Sequence, residues 1–460
     1  MRVILIIFLF VQTSFAQVFD VETIKNSGVD ENRINIVILS EGYQDSELNQ
    51  FIIDATSFSN ALFAETPYKE YENYFNVHAI KVPSNESGIS HPGNAIDVNE
   101  PIIPIKSVDN YFEATFDHDL IHRVIDVNNT KVFNVLANNF PTYDIVLILI
   151  NSPYRGGTAL GDLGAFTVHN SSWGVAIHEI GHAFAKLSDE YYSSGVNLTE
   201  GINMTQSSNP INVKWKNWLN QNGIGIYQHC CGGDSQNWYR PHQNCKMRFS
   251  NSPFCSVCIE GTIEKIHEVI NPIESYSPTF ISTIGFPSSI TFNINSIDPI
   301  PNTLSIEWLI NGNIVNDEDF SLVVVEDDLI LGENQIQATV VDTTTLVNVD
   351  NHASIHFNTV LWNLNTNTMG VEDALLNKLN LKLYPVPVQD ILYFEFTERL
   401  NENYTTSIID ITGKKLVEKK FNNHSDQIPS IQFDNISAGV YFIKFRFDSG
   451  LRISKKIIKK

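Results

Sequence analysis

The chain has 460 residues, 43% hydrophobic and 18% charged, with a formal net charge of −22 at pH 7. That length exceeds what one hydrophobic core organises, so roughly two to four domains are expected. The composition is globular, and the acidic balance speaks against nucleic acid or an anionic membrane surface as a partner.

In chain order, Arg2, the apolar run "VILIIFLFV" and the small residues Ser14 and Ala16 have the layout of a secretory signal peptide, with cleavage expected after Ala16. The run is too short to span a hydrocarbon core of ~30 Å. No later segment reaches spanning length, so an exported chain without a transmembrane segment is expected. "RINIVIL" (33–39) is a short strand, and Asp45 or Ser46 can cap a helix running to Phe63. Ile52, Ile53, Ala55, Phe58, Ala61, Leu62 and Phe63 mark its expected buried face. Strands follow at 74–83 and 143–151, with a helix around 130–138 between them, a rhythm that indicates an α/β domain with a largely buried sheet. A glycine-rich loop, "RGGTALGDLG", leads into a strand at 165–169 expected at the sheet edge. A helix then begins directly after "NSS".

That helix carries "HEIGH". Residues i and i+4 of a helix lie about 6 Å apart along its axis and ~40° apart around it, so His178 and His182 can point two imidazoles at one ion. Glu179, ~100° away, is off the ion but within reach of a water on it. Zinc lowers the pKa of bound water towards ~7 and polarises a scissile carbonyl, and Glu179 would take the water's proton and pass it to the leaving amine. An edge strand feeding a helix with HExxH is how zincin peptidases are built. On an unbroken helix Asp189 would lie ~10 Å beyond His182, so the chain must turn soon after Leu187 to deliver a third ligand. Asp189 is the first candidate, Glu190 the second, and Glu200 serves if the ligand comes from a later element.

All five cysteines fall in one window, Cys230, Cys231, Cys245, Cys255 and Cys258. In an oxidising compartment this reads as a local disulfide staple with one thiol left over. Cys255-Ser-Val-Cys258 also has zinc-ligand spacing, which Cys230 and Cys231 could complete. From about 275 to 365 short alternating runs appear, with Trp308 in a strand before an Asn-Gly turn, as in an immunoglobulin-like β-sandwich without its disulfide. A polar linker (366–375) precedes a last β-rich block, 376–460, ending in "KKIIKK". The expected organisation is a signal peptide (1–16), a zincin-like α/β domain (17–272), an Ig-like sandwich (273–365), the linker and a C-terminal β-sandwich.

Five ordered motifs, "NIVILSEGY", "YFNVHAIKVPSNESGISHPG", "YDIVLILINSPYRGGT", "HEIGHAFAKLSDEY" and "CKMRFSNSPFCSVC", resemble the IgA-peptidase family of bacterial zinc metallopeptidases over roughly residues 30 to 270. The resemblance implies a zincin fold, endopeptidase activity on protein or peptide substrates, zinc on His178 and His182, and Met247 as a methionine turn beneath it. In the metzincin proteases a glycine three residues after the second histidine permits the turn, with the ligand three residues further on. Here those positions are Ala185 and Ser188. "LKLYPVPVQDILYFEF", "SIIDITGKKLVEKKF", "ISAGVYFIKF" and "ISKKIIKK" resemble the type A sorting domain of type IX secretion, with Val386 where asparagine is usual. This implies the type IX machinery as a partner and a route through the periplasm and across the outer membrane. A non-catalytic surface-binding or adhesion protein on a peptidase scaffold is the competing reading, against which retention of Glu179 speaks.

Overall fold

A computed structural model describes residues 18–160, 163–192, 198–230, 232–279, 284–285, 289–316, 318–366, 381–396, 402–410, 414–422, 428–448 and 452–460. The expected signal peptide, Cys231 and nearly all of the linker lie outside the described residues. The chain forms two compact units. The first takes in the chain to Ser275 with Asn295–Ile306 and Val340–Asn358, and the second takes Tyr276–Ile294, Glu307–Thr339 and the chain from Thr359 on. The division is therefore not a single cut at residue 273. Asp342 shows why: inside the first unit its carboxylate accepts from Tyr71 Oη at 2.5 Å, Thr303 Oγ1 at 2.6 Å and His267 Nε2 at 2.9 Å.

The first unit is built on a six-stranded sheet of β1 (Asp20–Lys25), β2 (Ile34–Glu41), β3 (Phe75–Lys81), β4 (Ile145–Ile150), β5 (Gly157–Leu160) and β6 (Leu163–Thr167), in the order β1-β3-β2-β4-β6-β5. The four inner strands are parallel and the two edges antiparallel. Every residue of β2 and β4 is buried, as continuous apolar runs require when helices cover both faces. Ile34, Ile36 and Ile38 face one core with α1 (Leu48–Leu62), α3 (Asn170–Ala183) and α4 (Ser256–Val269). Val37 and Leu39 face the other with Val132, Val135 and Leu136 of α2 (Asn129–Asn139).

The end of β2 explains its motif. Ser40 Oγ donates to the Val82 carbonyl at 2.9 Å, and the Glu41 carboxylate accepts from the amides of Phe112 and Ala114 at 2.9–3.0 Å. Burial pushes the Glu41 carboxyl up to about 7. Gly42 has φ +68°, and a Cβ there would come within 2.1 Å of the Gly88 carbonyl oxygen, so only glycine lets the two loops meet.

Four expectations are corrected. The expected edge strand, β6, is internal, because Gly157–Leu160 of the glycine-rich loop form β5 and hydrogen-bond outside it. Helix α3 starts at Asn170, inside the "NSS" cluster, and its cap is His169, whose ring accepts from the Ser171 amide at 3.2 Å. Ile53 points to solvent at 58% exposure, whereas Phe51, Ala55, Phe58, Ser59 and Leu62 form the buried face of α1. That rotation puts the larger aromatic ring, Phe51, in the core. Finally, no disulfide joins Cys245, Cys255 or Cys258.

Two sheets follow, one of five strands (284–285, 357–365, 333–342, 304–310 and 313–316) and one of three (321–325, 289–296 and 273–277). Glu333–Asp342 alternates exposed and buried along its length. In the second unit Trp308 stacks on Trp362 at 5.8 Å, and Phe292 meets Trp362 edge-on at 4.9 Å, joining the two sheets. Asn311 and Gly312, both at positive φ, form the expected turn after Trp308. The C-terminal block has a three-stranded and a four-stranded sheet around Leu392, Phe394, Ile408, Ile443 and Phe445. No described helix is long and apolar enough to cross a membrane.

Candidate metal centre

The HExxH helix is half-sunk in the first unit: Ala176, Ile177 and Ile180 pack into the core, and the motif's polar residues lie along one side. His178 Nε2 and His182 Nε2 lie 3.1 Å apart, with their rings nearly perpendicular at 88°. Asp189 Oδ1 completes a triangle, 3.1 Å from the first and 3.0 Å from the second. Tetrahedral zinc with bonds of about 2.0–2.1 Å to nitrogen would set neighbouring donors about 3.3 Å apart, so the three atoms fit one ion. Both tautomers suit it too. His178 Nδ1 donates to the Lys246 carbonyl at 3.0 Å and His182 Nδ1 to that of Leu187 at 2.6 Å, leaving each Nε2 lone pair turned to the common point.

Asp189 reaches this point because the helix stops early. It ends at Ala183, and Lys186 takes φ +54°, a left-handed turn made without glycine one residue before Leu187 rather than after it. The Leu187 amide closes the turn on the Gly181 carbonyl at 3.1 Å. The next residues are clamped. Asn203 pairs with the Ser188 backbone through both its amide oxygen and nitrogen, His229 Nε2 donates to the Asp189 carbonyl at 3.2 Å, and the Glu190 amide donates to the Met247 carbonyl at 2.7 Å. Asn203 and His229 were not legible from sequence, since neither sits in a motif or at a ligand spacing.

Glu179 stands beside the triangle, its Cβ 3.7 Å from where Gly164 of β6 would carry one. Burial pushes its carboxyl up, against the pull of the two histidines. For Asp189 burial acts in the same upward sense, but the two imidazoles of His178 and His182 beside it outweigh it and hold the carboxyl well below the usual range. Tyr191, another residue missed from sequence, lies near Asp189, its pKa raised by burial and by that charge, and its ring centroid lies 6.2 Å from that of His178. Met247 is fully buried against Gly181, where an added Cβ would come 3.0 Å from its sulfur.

Of the other candidates, Glu190 turns away, donating no oxygen to the histidines; its carboxylate sits among Cys245, Cys255 and Cys258. Glu200 is held at the surface by Lys214 at 2.6 Å and by Thr205 and the Gln206 amide.

Three donors on and just after one helix are thus placed where they could share a metal ion, and the comparisons point to a peptidase. Residues 22–226 match the model of the IgA peptidase M64 family, and residues 382–460 match that of the secretion system C-terminal sorting domain. The resemblance read from the motifs is thereby borne out. Residues 22–226, all in the first unit, are thus similar to a family of peptidases, and the tail indicates export by type IX secretion to the cell surface or beyond. No curated protein matches. Among solved structures, an immunoglobulin-like β-sandwich protein from Bacteroides vulgatus is 14% identical, over 20% of this chain and 92% of its own, with a TM-score of 0.17. Fibronectin(III)-like modules from Clostridium thermocellum are 9% identical over 41% and 91%, with a TM-score of 0.16. Likenesses this slight carry no argument about the sandwich.

Proposed function

We propose that this chain is a secreted zinc-dependent endopeptidase acting on extracellular proteins, its zinc held by His178, His182 and Asp189. The observation that carries the reading is the convergence of three ligand atoms within 3.0–3.1 Å of one another, with Glu179 beside them. When bound, zinc would acidify a water and polarise the scissile carbonyl. Glu179, beside the three donors, would accept a proton from such a water and pass it to the leaving amine. The Tyr191 phenol, pushed up by burial and by the nearby carboxylates, stays protonated and can donate to the carbonyl oxygen as charge develops there. Met247 forms the apolar floor under the helix, in the place of a methionine turn.

The peptidase domain is zincin-like in this reading, the sandwich an Ig-like accessory module, and the sorting domain the part that engages the export machinery after passage through the periplasm. The test pairs metal analysis with cleavage of a peptide library, on the parent and on Glu179→Ala. Zinc in both with cleavage only in the parent is expected. Cleavage that survives in Glu179→Ala, or a folded parent that takes up no zinc, sinks the mechanism.

A further inference from the structure

Behind the HExxH helix lies a second cluster. Cys245 Sγ and Cys255 Sγ are each 3.6 Å from Cys258 Sγ, and Cys258 Sγ is 3.5 Å from Glu190 Oε1. The four ligand atoms all lie within 4.8 Å of one another, on four buried residues. A disulfide would need about 2.05 Å between two sulfurs and would strand the third. Tetrahedral zinc, with bonds of about 2.3 Å to sulfur and about 2.0 Å to oxygen, places neighbouring sulfurs about 3.8 Å apart and sulfur and oxygen about 3.5 Å apart. The observed spacings are those of the second case.

From these spacings we infer that Cys245, Cys255, Cys258 and Glu190 form a closed structural site for a zinc-like divalent cation, separate from the HExxH centre and independent of the catalytic reading. The chemistry of the four groups supports it. None of them is a cation, and all converge on one buried point where uncompensated thiolates and a carboxylate would be costly. Glu190 Oε1 accepts from Asn203 Nδ2 at 3.0 Å, but Oε2, buried, has no hydrogen-bond partner. The Cys255 amide donates to Cys245 Sγ at 3.3 Å, and Cys255 and Cys258 sit at the start of α4, which holds their two sulfurs on one side.

The cluster of His91, Glu100, Asp117 and His122 makes a useful contrast. There His122 Nδ1 lies 2.8 Å and His91 Nε2 3.2 Å from the Glu100 carboxylate, so two basic side chains accompany the two acids. None of the four groups of the cysteine cluster is basic, and Arg240, the cation whose charge acts on Glu190, donates to the carbonyls of Glu190 and His229. The cysteine cluster is also shielded from the oxidising route that the sorting domain indicates, provided the cation is bound.

The test uses the full-length chain and its His178→Ala/His182→Ala form, both loaded with cobalt(II). Thiolate-to-cobalt charge-transfer absorption is expected in both, with one ion fewer in the histidine variant. Cys258→Ser should abolish the band. Glu190→Gln should keep it with roughly 10- to 100-fold weaker binding. If Cys258→Ser does not fold, the parent alone decides: metal-dependent protection of three thiols from alkylation supports the site. A folded, cobalt-loaded parent without the sulfur band, or non-reducing mass spectra linking any two of these cysteines, overturns it. Neither result bears on cleavage, which the Glu179→Ala assay reads separately.

Discussion

Asp189 and Glu190 are neighbours in sequence, yet their carboxylates serve different clusters. Asp189 faces His178 and His182 from a side chain 30% exposed, and His182 itself is 23% exposed. Glu190 faces three cysteines and is 0% exposed. In an extended stretch successive side chains point to opposite sides, so one short segment feeds both. The first cluster offers three ligands and an open side, as a reacting metal needs; the second offers four and is closed, as a structural metal needs. Burial and ligand count, more than ligand type, separate the two.

The largest expected effect tests the open side. Glu179→Gln should lower cleavage by about 10²–10⁴-fold while metal content stays unchanged, because the amide keeps the shape but takes no proton. Equal loss of metal and activity would mean that Glu179 holds the site together instead. Tyr191→Phe comes next, with kcat down on the order of 10²-fold and KM little changed, if its phenol donates to the developing oxyanion. A change confined to KM would reduce it to packing against His178.

A swap of amides across the neighbouring acids then breaks or sharpens the comparison itself. Asp189→Asn should empty the histidine site and leave the thiolate–cobalt band, whereas Glu190→Gln should weaken the cysteine site about 10- to 100-fold and leave the histidine site loaded. The reverse pattern, read by metal stoichiometry and absorption, would show that the two carboxylates exchange clusters in solution.

Much of this was legible in the sequence, and the limits have physical causes. The buried strands and α3 follow from continuous apolar runs and the i, i+4 histidines, which are local signals. Asp189 was reachable by argument because a turn had to follow the helix, but the residue bearing it, Lys186, was not, since no glycine marks it. The cysteine window suggested disulfides because spacing along the chain does not show that Glu190, more than 50 residues earlier, closes the set. The interleaving of 295–306 and 340–358 with the first unit was invisible for a similar reason. A strand's alternation reports that it has a buried face, and is silent on what its ends dock against.

Asp342 supplies the control for that comparison, a buried carboxylate satisfied by protein donors alone. It accepts from Tyr71, His267 and Thr303 side chains and from the Thr344 amide. Burial raises its pKa, but these bonds, that of His267 first, outweigh it and bring the carboxyl from the ordinary 3.8 down to about 2. A depressed carboxylate contributes stability that is fully present above its unfolded pKa and is lost as pH falls through the folded one, so the loss should fall between about pH 4 and pH 2. A shift of that size corresponds to about 2 kcal/mol, or roughly 30-fold in the folding equilibrium. Urea midpoints of parent and Asp342→Asn, compared from pH 6 to pH 2, should differ by this amount at the upper end and converge at the lower. The difference should be the same with and without chelator, because protein donors alone fill the Asp342 carboxylate. A chelator-dependent difference would tie Asp342 to one of the metal clusters and undo the distinction between an acid held by hydrogen bonds and one held by an ion.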